Sequence, residues 1–244
     1  MDKVAQRWRS PHLGQEVLAV RWGHAGTPLL LYPTAGGDAE EGERFKMIHV
    51  LKPAIEAGRI RVYACDSVAG RTWSDGESSP AVRARTQNRF DDYIAKELVP
   101  AIRKDCGDPG IEVVAAGASI GAFNALASIC RHPDLFRLAI CMSGTYNFDR
   151  WMDGQHPVDY HHCSPLHFLP TLPEGDQLTK LRTRFVLLAS GEGDYEAPWE
   201  CWWVERVLGP KGIPNRVDLW GKDYRHDWTT WRAMLPKYVD EFLP

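Results

Sequence analysis

Residues 111–131 read IEVVAAGASIGAFNALASICR. The first six residues are mostly apolar, as expected of a strand that is covered on both faces of a sheet. The residues after Gly121 are small or apolar over the length of a helix. Between the two lies GASIG, residues 117–121, which has the form Gly-x-Ser-x-Gly. A serine on a tight turn between a strand and a helix is typical of a nucleophile elbow, so the pattern predicts that Ser119 is a nucleophile.

The rest of the chain repeats this alternation of short apolar runs and longer segments of helical period. Such alternation indicates an α/β protein with a mainly parallel central sheet flanked by helices. The predicted strands are residues 16–22, 28–32, 60–65, 111–116, 136–142, 184–189 and 216–220. The predicted helices are residues 39–57, with a bend near Pro53, 86–104, 121–131, 199–208 and 228–242.

One segment fits neither period. Residues 145–180 are rich in proline, histidine, aspartate and aromatic residues and contain only fragments of helical pattern. A long irregular insertion in a compact domain is usually a functional loop or cap. We therefore predict a single domain over residues 1–244, with a short cap-like insertion over the site.

Composition narrows the class of partner. The chain has 244 residues, of which 44% are hydrophobic and 25% charged, which excludes a disordered, collagen-like or coiled-coil protein. The formal net charge is −3 and the two signs are interspersed, so no basic surface for nucleic acid or an anionic membrane is expected. The pattern favours a small-molecule substrate.

Cysteine usage and hydropathy indicate the compartment. The six cysteines have no Cys-x-x-Cys spacing, and a chain of this length needs no disulfide framework, so we expect reduced thiols. The first residues, MDKVAQRWRSPHLGQ, have no apolar core of a signal peptide, and no run of 18 apolar residues occurs. We therefore expect a cytoplasmic protein without a membrane span.

A serine nucleophile needs a base, usually an imidazole that a carboxylate orients. His226 follows the last predicted strand and precedes the last helix, which places it at the carboxyl edge of the sheet. The segment SGEGDYE, residues 190–196, follows the preceding strand and offers two acids. We predict Asp194 as the acid and keep Glu196 as the alternative, since either gives the chain order serine, acid, histidine.

The reaction also needs backbone N–H donors for an oxyanion. Ile120 follows the serine directly and supplies one donor if the turn is an elbow. The second donor is expected from the loop YPTAGG, residues 32–37, in which two glycines allow close approach to a ligand. We predict Ala35 as that donor.

Several separated motifs together resemble the "putative esterase" family, which includes esterase D, feruloyl esterases and mycolyltransferases. The resemblance covers nearly the whole chain and rests on YPTAGGDAEEGERF (32–45), GASIG (117–121), SGTYNFDRWMDG (143–154), SPLHFLP (164–170), KGIPNRVDLW (211–220) and HDWTTWRAMLPKY (226–238). Family members carry the catalytic histidine followed at short distance by tryptophan, which His226, Trp228 and Trp231 match. The resemblance implies an α/β-hydrolase fold, no metal or organic cofactor, and hydrolysis of carboxylic esters through an acyl-enzyme on Ser119. The chain departs from many hydrolases in reading Pro33-Thr34 where they have His-Gly.

The ten tryptophans and a histidine-rich stretch are candidates for binding roles. We expect Trp151 and Trp228 to contact the substrate. Most others are expected in the core, including three that fall close together on one predicted helix: Trp199, Trp202 and Trp203. The spacing of His161, His162, Cys163 and His167 lacks the paired ligands of common zinc sites, so we predict packing and hydrogen bonding there and no metal.

The same residues allow other functions. Acyl transfer to an alcohol and thioester hydrolysis would use the same serine, histidine and acid. A non-catalytic binding module on the same fold is a further alternative, because a fold does not fix a function. The sequence does not distinguish oligomeric states or the identity of the ester.

Overall fold

Eight strands form one sheet at the centre of the computed structural model, which describes residues 1–244. The seven strands predicted from apolar runs are all present, with boundaries shifted by at most two residues. The strands are β1 (Lys3–Arg9), β2 (Glu16–Trp22), β3 (Thr27–Tyr32), β4 (Ile60–Cys65), β5 (Val113–Ala118), β6 (Phe136–Met142), β7 (Phe185–Ser190) and β8 (Asn215–Leu219).

The strand order across the sheet is β1-β2-β4-β3-β5-β6-β7-β8. The pairs β1/β2 and β2/β4 are antiparallel, and every other pair is parallel. Strand β1 was not predicted because its residues, KVAQRWR, are mostly exposed and carry the charges that protect a sheet edge, so they show no apolar run. The parallel part confirms the expected α/β-hydrolase architecture.

Helices cover both faces of the sheet. Helices α2 and α11 lie on one face, and α4 to α6 and α10 lie on the other. The helices are α1 (Glu41–Arg44), α2 (Met47–Glu56), α3 (Val68–Ser74), α4 (Pro80–Tyr93), α5 (Val99–Cys106), α6 (Ile120–Arg131), α7 (Val158–Cys163), α8 (Pro165–Thr171), α9 (Asp176–Leu181), α10 (Pro198–Leu208) and α11 (Trp228–Phe242), with a π-helical turn at Ile94–Leu98.

Two apolar cores result, one on each face of the sheet. Alternate residues of each strand enter opposite cores, as Leu30 and Tyr32 of β3 do on one side and Leu29 and Leu31 do on the other. Because both faces of the central strands are buried, these strands read as continuous apolar runs in the sequence. None of the helices combines the length and the apolar character that crossing a membrane requires.

The first predicted helix is broken at a different place from the one expected. Pro53 lies inside α2 without interrupting it, and the break falls at Lys46, whose φ of 63° is left-handed. A second helix, predicted to begin at residue 86, begins at Pro80 instead. Proline suits the first turn of a helix because that turn needs no donor from its N–H.

The irregular segment 145–180 contains a short 3₁₀ turn at Asp149–Trp151 and the helices α7, α8 and α9. These helices pack against α4, α6 and α10. The beginning of the segment reaches the carboxyl edge of the sheet beside Ser119, where Thr145 N donates to Ser119 O at 3.3 Å. The segment therefore connects the sheet edge to the helical layer on one face.

Candidate active site

Ser119 occupies the sharp bend between β5, which ends at Ala118, and α6, which begins at Ile120. Its φ of 57° and ψ of −123° are sparsely populated for a residue with a side chain. Backbone bonds hold the bend, since Ser119 N donates to Met142 O at 3.0 Å and Ala122 N donates to Ser119 O at 3.1 Å. This is the strained strand-to-helix turn that Gly-x-Ser-x-Gly predicts.

The two glycines of the motif are required by close backbone packing. A Cβ on Gly117 would lie 2.3 Å from the carbonyl carbon and oxygen of Gly121. A Cβ on Gly121 would lie 2.7 Å from Tyr32 O at the end of β3. Neither clash can be relieved by a side-chain rotation, because the obstructing atoms belong to the backbone.

Gly117→Ala is therefore expected to lower the free energy of unfolding by about 3 kcal/mol or more, the upper range for overpacking a tight interior. Urea denaturation followed by circular dichroism measures the change. Gly36→Ala is the matched control, since nothing lies within 4 Å of a Cβ at that position. Equal unfolding midpoints for the two variants would contradict the close approach at the bend.

His226 pairs with Glu196. The His226 Nδ1 atom lies 3.6 Å from Glu196 Oε2, and the Glu196 side chain is only 1% exposed. The carboxylate is further held by Ser143 Oγ, which donates to Oε1 at 2.6 Å, and by Ser190 Oγ, which lies 3.2 Å from Oε2. A buried carboxylate with these partners can orient an imidazole and balance a positive charge on it.

Asp194, the acid preferred from the sequence, occupies a different place. Its side chain is exposed, and it meets His226 only through the backbone, where His226 N donates to Asp194 O at 3.0 Å. Tyr195 follows with a left-handed φ of 64°, so that the chain reverses before Glu196 and directs the glutamate inward. The geometry thus favours the alternative acid, Glu196. Spacing alone did not reveal this reversal.

The acid loop and the histidine loop are joined by backbone hydrogen bonds. Glu192 N donates to Gly221 O at 3.0 Å, and Gly193 N donates to Tyr224 O at 2.9 Å. A Cβ on Gly191 would lie 2.0 Å from Tyr224 O, so the close approach needs glycine there. The two loops therefore fix the distance between the acid and the base.

Ser143 and Trp231 extend the pair into a network that sequence reasoning missed. Trp231 Nε1 donates to Ser143 Oγ at 3.0 Å, and the Trp231 ring lies edge-on to the His226 ring with centroids 5.2 Å apart at 87°. Ser143 itself has a left-handed φ of 45° directly after β6. The short distance in sequence between His226 and Trp231 was the one available signal.

Ser119 and His226 line one cavity of about 470 Å³ at the carboxyl edge of the sheet. The two side chains share this cavity without a hydrogen bond between them. In enzymes without substrate such contacts are often long and tighten on binding. The other lining residues are Ser143, Gly144, Thr145, Asn147, Asp149, Arg150, Tyr195, Ala197, Trp199, Glu200 and Trp203.

The two tryptophans expected at the substrate lie elsewhere. Trp228 stacks on Phe45 with centroids 4.9 Å apart, and Trp151 packs against Phe148 at 4.9 Å. Neither lines the cavity. The aromatic residues that do line it are Tyr195, Trp199 and Trp203, which are 92%, 54% and 37% exposed. The tryptophans of α10 were expected in the core, but they lie on the face of that helix that points away from it.

Two charged residues, Arg150 and Glu200, are among those that line the cavity. The Glu200 carboxylate accepts hydrogen bonds from Tyr146 N at 2.8 Å and Asn147 N at 2.9 Å. Burial raises the pKa of Glu200, and these two donors oppose the rise. The Arg150 guanidinium lies 4.2 Å from the centre of the Trp151 ring. The cavity therefore offers both aromatic faces and charged partners.

The predicted oxyanion donors have different surroundings. Ile120 is the first residue of α6, where an N–H has no partner inside the helix. Ala35 lies in the 32–37 loop, which Glu41 holds by accepting from Thr34 N at 2.7 Å and Thr34 Oγ1 at 2.6 Å. Neither Ile120 nor Ala35 is among the residues that line the cavity.

The side chains of the histidine-rich stretch, residues 161–167, do not converge on one common site. His161 and His162 lie on α7 at 5.9 Å between ring centroids, and Cys163 donates to Tyr160 O at 3.5 Å. His167 instead faces Asp149, with 3.3 Å between His167 Nε2 and Asp149 Oδ1. All six cysteines are free thiols, as expected.

Comparison with known proteins identifies the family of the chain. A family model described as "Putative esterase" matches residues 41–242, which include the bend at Ser119 and both Glu196 and His226. The chain belongs to this family. It is a serine ester hydrolase of the α/β-hydrolase fold. No curated protein sequence matches it significantly.

Solved structures of similar fold include hydrolases of several kinds. A ferulic acid esterase is 16% identical, with a TM-score of 0.72 over 98% of this chain and 95% of the other. An S-formylglutathione hydrolase from Agrobacterium tumefaciens is 12% identical, with a TM-score of 0.73 over 98% and 93%. The fluorophosphonate-binding serine hydrolase F of Staphylococcus aureus is 14% identical, with a TM-score of 0.69 over 98% and 97%. At these identities the likeness concerns the fold.

Proposed function

We propose that the chain is a serine carboxylesterase that hydrolyses carboxylic esters through an acyl-enzyme on Ser119. His226 is the base and Glu196 the acid that orients it. The observation that carries the proposal is that Ser119, on a strained bend, lines the same cavity as His226. The buried Glu196 carboxylate lies 3.6 Å from His226 Nδ1. Membership in an esterase family supports the class of reaction.

In the acylation step, His226 removes the proton of the Ser119 hydroxyl as the oxygen attacks the ester carbonyl carbon. The imidazolium that forms is stabilised by the Glu196 carboxylate. His226 then protonates the departing alcohol as the carbon–oxygen bond to it breaks. Water, deprotonated by the same imidazole, attacks the acyl-enzyme, and the acid leaves as Ser119 recovers its proton.

The alkoxide of the tetrahedral intermediate needs N–H donors. We assign one to the N–H of Ile120, the first residue of α6, which directly follows the nucleophile. The partial positive charge at the N-terminus of this helix would also stabilise the alkoxide. The second is assigned to Ala35 in the loop that Glu41 holds. The loop is fixed by two hydrogen bonds to a buried carboxylate, as a preorganised donor requires.

Pre-steady-state hydrolysis of 4-nitrophenyl acetate tests the proposal. We expect a burst of 4-nitrophenol close to one equivalent per enzyme when deacylation is the slower step, followed by steady turnover. Matched oxygen and sulfur esters, and added alcohols, separate hydrolysis from thioester cleavage and from acyl transfer. A purified, folded protein that turns over no ester in such a panel would contradict the proposal and favour a binding module.

The Trp231 and Ser143 contacts predict a positioning role for the tryptophan. Trp231→Phe removes the N–H donor to Ser143 and is expected to lower kcat about tenfold, the equivalent of one hydrogen bond near a charged group, with little change in KM. Trp220→Phe is the matched control, because it removes a similar N–H bond, to Tyr238 Oη at 2.6 Å, about two helical turns further along α11. An equal loss in both variants would mean that Trp231 acts only through stability.

A further inference from the structure

Three potential metal ligands from separate parts of the irregular segment meet at the rim of the cavity. One ligand atom each from Asp149, His156 and His167 lies within 4.8 Å of the other two. We propose that this cluster binds one divalent transition-metal ion of the Zn²⁺ type. The proposal departs from the expectation of no metal in this stretch, and it does not depend on the esterase mechanism, which needs none.

The distances suit a small tetrahedral ion. Zinc lies about 2.0–2.1 Å from nitrogen and oxygen ligands, so two ligands of a tetrahedron are about 3.3–3.4 Å apart. His167 Nε2 and Asp149 Oδ1 already lie 3.3 Å apart. His156 is exposed and lies in the turn between the 3₁₀ helix and α7, so its ring needs only a small adjustment to complete the site.

A buried tyrosine organises the cluster. Tyr160, which is fully buried on α7, donates its hydroxyl proton to Asp149 Oδ1 at 2.9 Å. Its ring lies 4.6 Å from the His167 ring and 6.1 Å from the His156 ring, measured between centroids. An outer partner that orients the carboxylate in this way is a regular feature of metal sites.

The donor set selects the class of ion. Two imidazoles and one carboxylate suit zinc and its transition-metal neighbours, whereas calcium and magnesium prefer sites built from oxygen alone. Three protein ligands leave a fourth position for water or for an anionic group. Because Asp149 also lines the cavity that holds Ser119, the bound ion would lie at the rim of that cavity.

Calorimetric titration of chelator-treated protein with ZnCl₂ tests the site. We expect one equivalent to bind to the wild type, and His156→Ala and His167→Ala each to weaken binding by about tenfold or more, as loss of a ligand exceeds the effect of an outer partner. His161→Ala and His162→Ala are the controls, since these histidines share the segment but not the cluster. They are expected to bind Zn²⁺ as the wild type does.

His156→Ala keeps the test independent of folding because His156 is exposed, and circular dichroism checks that the variant is folded. Titration with Co²⁺ adds a second readout, since a four-coordinate site gives an intense visible absorption band that octahedral aqueous Co²⁺ lacks. We expect the band in the wild type and its loss in His156→Ala. No Zn²⁺ binding by the wild type, or equal affinity in the wild type and both cluster variants, would overturn the proposal.

Discussion

Ser119→Ala is expected to lower kcat for ester hydrolysis by about 10⁶-fold, the loss that follows removal of the nucleophile in serine hydrolases. The reason is that alanine offers no oxygen to form the acyl-enzyme, while the bend and the cavity remain. Alanine adds no atoms at a position that already tolerates a side chain with a φ of 57°, so the fold is expected to persist. Steady-state kinetics with 4-nitrophenyl acetate measures the loss.

Ser164→Ala is the matched control for that variant. Its hydroxyl is buried without a hydrogen-bond partner and lies outside the cavity, between α7 and α8. Its removal is expected to leave kcat within about twofold, since the hydroxyl makes no hydrogen bond and its loss leaves no partner unpaired. If Ser119→Ala retained the activity of this control, Ser119 would have no part in the mechanism.

Glu196→Gln is expected to lower kcat by about 10⁴-fold, as the loss of the carboxylate does in other serine, histidine and acid triads. The amide cannot balance a charge on His226, and its NH₂ group replaces one of the two oxygens that accept from Ser143 Oγ and Ser190 Oγ. The pairing of His226 with an amide also favours the wrong tautomer of the ring. The activity of the folded variant across substrate concentrations separates this loss of kcat from any change in KM.

Asp194→Asn is the matched control for the acid, because it makes the same chemical change two residues away. Its side chain is exposed, and the bond from His226 N goes to its backbone carbonyl, which the substitution leaves in place. We expect kcat within about threefold of the wild type, as for an exposed residue. A large loss in Asp194→Asn together with a mild effect of Glu196→Gln would return the acid role to Asp194.

The fold was predictable because strands buried on both faces of a parallel sheet appear in the sequence as continuous apolar runs. Strand β5, which ends directly before Ser119, is apolar throughout, and the glycines at 117 and 121 indicate the close backbone approach at the bend. Strand β1 has no such apolar run, since an exposed edge strand needs charges rather than apolar side chains. Periodicity therefore predicts the interior of this fold better than its edge.

The order of the serine, the acid and the histidine along the chain was predictable, but which carboxylate side chain turns toward the histidine was not. The loop after β7 was expected to supply the acid, and it does bring a carboxylate to His226. The choice between Asp194 and Glu196 depends on the left-handed φ of Tyr195, which no pattern in SGEGDYE predicts. The exposed tryptophans of α10 and the approach of His167 to Asp149 likewise depend on how distant segments pack.

The most direct test of the account is the covalent labelling of the folded protein by a fluorophosphonate, followed by intact mass and peptide mapping. We expect one adduct per chain, on the Ser119 hydroxyl, with none on heat-denatured protein or on Ser119→Ala. Glu196→Gln is expected to be labelled more slowly than Asp194→Asn. An adduct on another residue, or no adduct on folded wild-type protein, would contradict the claim that His226 and Glu196 activate Ser119.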